Sequence, residues 1–130
     1  MNIVKGYFDD IHFPECKIES FEITQDSIIV NIQTGLEIYP PHPLAATSKF
    51  EEPCRAIFKR VKYSKRIFYE YNQGQSKYVN KHLFTNKFPI NNDSNVEYSE
   101  YLIEGWLIKP QGWIDWEITA VEFYVDDLKN

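Results

Sequence analysis

The sequence predicts a mostly β protein: a single-domain antiparallel β-sandwich, or a curved meander or barrel, with little helix. Aromatic and β-branched residues alternate with polar residues along most of the chain, and short runs of turn-forming residues separate these segments. No stretch carries a sustained apolar stripe with the 3.6-residue period of a helix. With 130 residues, 43% of them hydrophobic, the chain can bury one core without disulfide or metal. We therefore expect residues 1–130 to form one domain.

The first half of the chain predicts a hairpin followed by a loop. Residues 17–24 and 28–38 alternate as two strands around a turn at residues 25–27, and Gly35 predicts a bulge or bend in the second strand. Four of the seven prolines lie within residues 40–53, which excludes a central strand there because proline lacks the N–H donor. At most one helical turn is expected, at a possible capping box over residues 48–51.

The second half predicts two further hairpins. Alternation resumes at Cys54, residues 63–65 predict a turn, and a second strand follows from Ile67 to a turn at residues 72–75. A weaker strand is expected over residues 77–85 and a loop over residues 89–95. Residues 96–109 and 113–125 then form a long hairpin around a Pro-Gln-Gly turn.

Charge is distributed unevenly along the chain. The formal net charge is −5, but residues 1–52 carry about −6, residues 53–92 about +8 and residues 93–130 about −7. Two interpretations remain open. The basic middle pairs with acidic neighbours across the sheet, or the protein has separate acidic and basic surfaces that steer a charged partner.

Several function classes lack support in the sequence. Basic residues alternate with aromatics over residues 58–69, as in single-strand nucleic-acid platforms, but the net negative charge opposes such binding. The three histidines lie 30 and 40 positions apart, without the spacing of a metal motif. No nucleophile elbow or phosphate loop occurs. We expect no catalytic residue, no metal and no cofactor.

The N-terminus and the cysteines bear on the compartment. Residues 1–10 are too polar for a secretory signal, and no apolar run approaches the roughly 20 residues of a membrane helix. These features predict a cytoplasmic protein in which Cys16 and Cys54 are reduced, buried thiols, with a disulfide between them as the alternative.

The C-terminal hairpin contains the candidate binding residues. Trp113 and Trp116 have opposite parity on one strand, so one of them is expected to face away from the core, where tryptophan is a frequent interface anchor. Acidic residues flank both. The predicted partner-binding residues are Glu97, Glu100, Tyr101, Glu104, Trp113, Asp115, Trp116 and Glu117.

The chain resembles the small, acidic, mostly β immunity proteins that bacteria encode beside polymorphic or contact-dependent growth-inhibition toxins. The resemblance rests on IESFEI (residues 18–23), IIVNI (28–32), AIFKRVKYS (56–64) and GWIDWEITA (112–120). It implies a cytosolic, non-catalytic protein that binds a cognate toxin domain, often a nuclease, and blocks its activity. A basic partner fits an acidic surface.

The alternative function is a small-ligand-binding β-barrel, with or without enzymatic activity, in which residues 40–53 cap an aromatic-lined mouth. A third hypothesis, a structural subunit of a larger assembly, predicts a broad exposed apolar patch. The oligomeric state, the strand order and the identity of the partner do not follow from the sequence.

Overall fold

The computed structural model describes residues 3–89 and 95–129, and it is built almost entirely of β-strands. The strands are β1 (Ile3–Lys5), β2 (Ile11–His12), β3 (Lys17–Ile23), β4 (Ser27–Thr34), β5 (Glu37–Ile38), β6 (Cys54–Asn72), β7 (Lys77–Lys87), β8 (Ser99–Leu107) and β9 (Gly112–Asp126). Within the described ranges the sole helical element is a 3-10 turn at Phe8–Asp10. None of the described segments is a helix long and apolar enough to cross a membrane.

The main sheet closes on itself through five strands. Its order is β1-β9-β8-β3-β4-β6-β7, and an additional pairing of β9 with β6 completes a ring of β3, β4, β6, β9 and β8. The predicted mostly β curved architecture is confirmed. Every pairing in the sheet is antiparallel except that of β3 with β8, which is parallel, so the sheet is mixed. β2 and β5 form a separate two-stranded sheet.

The 19-residue strand β6 is the centre of this sheet. β9 pairs along one of its edges from Arg55 to Glu70, while the other edge pairs first with β4 and then with β7. The predicted turn at residues 63–65 is therefore wrong. Ser64 is fully buried and pairs with Asn86 on one side and Ile118 on the other, and pairing on both edges overrides a local turn preference.

Most of the remaining strand predictions are confirmed with shifted ends. The hairpin of β3 and β4 forms, but the predicted second strand over residues 28–38 is divided, because β4 ends at Thr34 and Glu37–Ile38 form β5 in the two-stranded sheet. Gly35 lies between them at φ +90, where an added Cβ would overlap the Glu15 carbonyl oxygen. The weaker strand over residues 77–85 is β7, and the long C-terminal hairpin is β8 and β9. Residues 40–52 form turns. Of the predicted loop at residues 89–95, residues 90–94 lie outside the described residues.

Side chains fill the interior of the ring. Inward-facing residues from all five ring strands belong to one core cluster, and the largest of them that are fully buried are Trp116, Phe58, Phe123, Ile18, Ile28, Ile32, Ile114 and Ile118. Small strand rings are typically packed in this way. Aromatic contacts extend the cluster to the chain start, where the Phe8 ring lies 5.0 Å from Phe123 and 4.9 Å from Tyr101.

Both cysteines are buried and free, as the sequence predicted. Burial raises the pKa of Cys16 to about 12, with Cys54 contributing as a second source, and burial likewise raises the pKa of Cys54 to about 12. Because the thiolate is the reactive form, the structure makes both thiols inert at neutral pH.

His42 anchors the proline-rich loop. It is 3% exposed, and its Nδ1 accepts a hydrogen bond of 3.0 Å from the backbone N–H of Leu44. Burial lowers the pKa of His42, so the imidazole is held in its neutral form. The histidine has a structural role in the loop between β5 and β6.

Gly112 offers a test of the ring closure. A Cβ at this position would overlap the carbonyl oxygen of Tyr69 and the ring of Phe68 on β6. We expect Gly112→Ala to lower the free energy of unfolding by roughly 1–3 kcal/mol, as overpacked sites do. Gly74→Ala is the matched control, since its Cβ would meet only the Asn72 side chain at 3.4 Å. Urea denaturation measures both, and equal stability of the two variants would contradict the close approach of β9 to β6.

The reactivity of the two thiols provides a test of their burial in the fold. We expect neither Cys16 nor Cys54 to react with a disulfide reagent such as DTNB at pH 8 in the folded protein, because both are buried and protonated. After denaturation in urea under the same conditions, two thiols per chain should react. Rapid labelling of the folded chain, or fewer than two thiols after unfolding without reductant, would disagree with the structure.

Candidate protein-binding face

The candidate site lies on the outward side of the sheet formed by β6, β9 and β8. Residues directly paired across strands share a face, and the pairings place four rows of three residues together, one residue from each strand. We call this set the outer face: Tyr63, Lys65, Ile67 and Tyr69 of β6, Trp113, Asp115, Glu117 and Thr119 of β9, and Glu100, Leu102, Glu104 and Trp106 of β8.

Five of the eight predicted binding residues lie on the outer face, namely Glu100, Glu104, Trp113, Asp115 and Glu117. Glu97 is exposed in the segment that leads into β8. Trp116 and Tyr101 lie on the opposite, inward side. Trp116 is 1% exposed, and the Tyr101 ring packs 5.4 Å from Phe58. Of the two tryptophans with opposite parity, Trp116 is therefore the core residue, and Trp113 is half-buried on the outer face.

Carboxylates meet at the centre of the outer face. Glu104 is directly opposite Asp115, and like charges so placed destabilise a sheet. Glu117 lies two residues along the same side of β9. Among the described residues none of the three forms an ion pair. Asp115 accepts a hydrogen bond of 3.0 Å from Trp113 Nε1, which fixes the indole beside the acidic centre.

The pairing of β6 with β9 determines which acidic side chains have a basic residue directly opposite them. Arg55, Lys59 and Lys65 lie opposite Asp126, Glu122 and Glu117 of β9. This register favours the interpretation in which the basic middle faces acidic neighbours across the sheet. The pattern breaks at Asp115, whose partner on β6 is Ile67. Glu104 and Asp115 therefore have each other as neighbours and no base opposite either.

Aromatic side chains occupy one end of the outer face. Trp106 is opposite Trp113, which in turn is opposite Tyr69. Tyr71 continues the cluster, with its ring 5.4 Å from both Trp106 and Tyr78. Alternation along the chain does not identify Tyr71 and Tyr78 as site residues, because their place here depends on the register of β6 with β7 and β9. Half-exposed aromatics beside charge are typical of interface anchors.

A cavity of about 450 Å³ borders the acidic centre. Glu104, Asp115 and Glu117 line it, together with Lys65 and the chain between Phe8 and Pro14. Leu102, which alternation alone does not identify as a site residue, also lines the cavity and is 66% exposed. Acidic groups, a shallow apolar recess and an exposed leucine together suit a basic side chain that has an apolar stem.

The acidic side chains of this face do not form a metal-binding group among the described residues. No group of three or more His, Cys, Asp or Glu side chains within the described ranges could hold a metal ion. The outer face instead combines carboxylate acceptors with the half-buried rings of Trp106 and Trp113.

Repulsion between Glu104 and Asp115 should lower the free energy of unfolding by a measurable amount. We expect Glu104→Gln to raise the free energy of unfolding by roughly 0.5 kcal/mol, because repulsion by Asp115 disappears. The gain should shrink in high salt. Glu22→Gln on β3 is the control, an exposed acid opposite Ile29, and should change little. Urea denaturation at two salt concentrations measures both; a destabilised Glu104→Gln would contradict the repulsion.

The outer face thus combines the Glu104–Asp115 pair, which has no base opposite it, with an aromatic end on the same sheet. No family model matches this chain, and neither a curated protein nor a solved structure similar to it was found.

Proposed function

We propose that this chain is a non-catalytic, immunity-type binding protein that neutralises a basic toxin domain through its outer face. The observation that carries the proposal is the pair Glu104 and Asp115, directly opposite each other without a base. Such a pair lowers the stability of the free protein. A cationic partner would offset the repulsion, so binding would recover the stability that the pair costs the free protein.

The aromatic end supplies the second half of a binding surface. Trp106 and Trp113 are half-buried, so their ring faces are held by packing while part of each remains available. Rings held in this way lose little conformational entropy on binding. Acids in the centre and rings at one end would give the partner a defined orientation.

The proposal includes a compartment and a partner class. The toxin domain is one that acts on an acidic substrate such as nucleic acid, because a positive substrate surface matches the acidic centre. An immunity protein of this kind works in the cytoplasm of the producing cell. It blocks the toxin by covering that surface and catalyses nothing itself.

The test uses the toxin domain encoded beside the gene for this chain. Binding of the purified pair is measured by surface plasmon resonance at low and high salt, and growth protection is measured by co-expression. We expect Glu104→Lys with Glu117→Lys to weaken binding by about tenfold or more, mainly through slower association.

The matched control is Glu22→Lys with Glu51→Lys, which changes the net charge equally at exposed sites outside the outer face. It should retain protection. Circular dichroism checks that both double variants fold. Equal losses in the two variants would remove the outer face from the proposal, and the absence of binding to any neighbouring gene product would end the immunity assignment.

A further inference from the structure

A second cavity, of about 350 Å³, lies on the inward side of the sheet, away from the outer face. It sits where the ring is open: β3 pairs with β8 only at Lys17 and Ile18, so the rest of β3 leaves a gap toward β6 and β7. Phe68, Phe84 and Ile114 supply apolar walls. The volume is in the range of small-molecule pockets.

Arg66 lines this cavity and is 9% exposed. Aromatic rings surround its guanidinium carbon. The ring centroids of Phe84, Phe21 and Trp116 lie 4.5, 4.7 and 5.0 Å from it. These contacts hold the guanidinium in place, since a cation over a ring face is attracted by the ring quadrupole.

The charge of Arg66 has no anionic partner in the described part of the chain. No ion pair or hydrogen bond from its side chain is present there, and its Nη1 is buried without an acceptor. Burial lowers the pKa of Arg66, with no carboxylate close enough to oppose the effect. An arginine remains charged even so, because the guanidinium is the most basic of the protein side chains.

Buried charges in proteins are normally paired. Cation–π contacts offset part of the desolvation cost but leave the buried Nη1 of the guanidinium without an acceptor. A carboxylate fits this need best, because its two oxygens match the guanidinium fork.

We propose that the cavity beside Arg66 binds a small organic acid, a carboxylate on an apolar aryl or alkyl body. The carboxylate pairs with Arg66, and the apolar body lies against Phe68, Phe84 and Ile114. Exposed Lys109 at the rim adds attraction for the anion. Glu19, the one acidic side chain among the described residues that line the cavity, disfavours ligands with a second negative charge. The site is independent of the proposed toxin-binding face.

The test compares 4-phenylbutyrate with 4-phenylbutanol, which has a similar body but no charge. Calorimetric titration of the full chain at neutral pH should show the acid binding at least about tenfold more tightly. In ¹⁵N correlation spectra, the amides shifted by the acid should lie around Phe21, Arg66 and Phe84.

Arg66→Met keeps the length of the side chain but removes its charge, and should weaken binding of the acid by about tenfold while leaving the alcohol unchanged. Arg55→Met is the matched control on the same strand, an exposed arginine bonded to Asn31. If Arg66→Met does not fold, Phe84→Ala on the edge strand takes its place and should weaken both probes. Equal affinity for acid and alcohol, no binding of either, or shifts outside the cavity would overturn the proposal.

Discussion

The antiparallel pairing of β6 with β9 is the constraint on which the rest of the structure depends. It runs from Arg55 to Glu70 on one strand and from Asp126 to Gly112 on the other. Because β6 also pairs with β4 and β7, and β9 with β8 and β1, every strand of the main sheet except β3 bonds directly to this pair. The close approach at Gly112, which has no room for a side chain, keeps the two strands in contact at the turn end.

The register of β6 with β9 also determines which charged side chains face each other across the sheet. The basic middle of the sequence lies in β6 and the acidic end in β9, so bringing them together sets bases opposite acids at three positions. Opposite charges that face each other across two strands stabilise the sheet. The register leaves Glu104 and Asp115 uncompensated, and it leaves Arg66, which faces inward, without an acid. The two sites of interest are thus the places where the charge matching of the central pair is incomplete.

The alternation of side chains along each strand divides the aromatic residues between the inward and outward sides of the sheet. On the inward side Trp116, Phe58 and Phe123 fill the ring, and Phe21 and Phe84 with Trp116 enclose Arg66. On the outward side Trp106, Trp113 and Tyr71 form a cluster that is only half-buried. Strand periodicity of two produces both sets from one composition. An aromatic-rich chain can therefore have a filled core and still leave rings half-exposed on its surface.

The sequence by itself determined the β class, the positions of most strands, the buried thiols and the opposite facing of Trp113 and Trp116, because alternation and turn chemistry are local. It could not place Tyr101 inward or Trp106 beside Trp113, since these depend on register between strands. It predicted a turn at residues 63–65 where Ser64 is paired on both edges. Only the tertiary structure decided the ring closure, the Glu104–Asp115 pair and the isolation of Arg66, because each arises from contacts between residues distant in sequence.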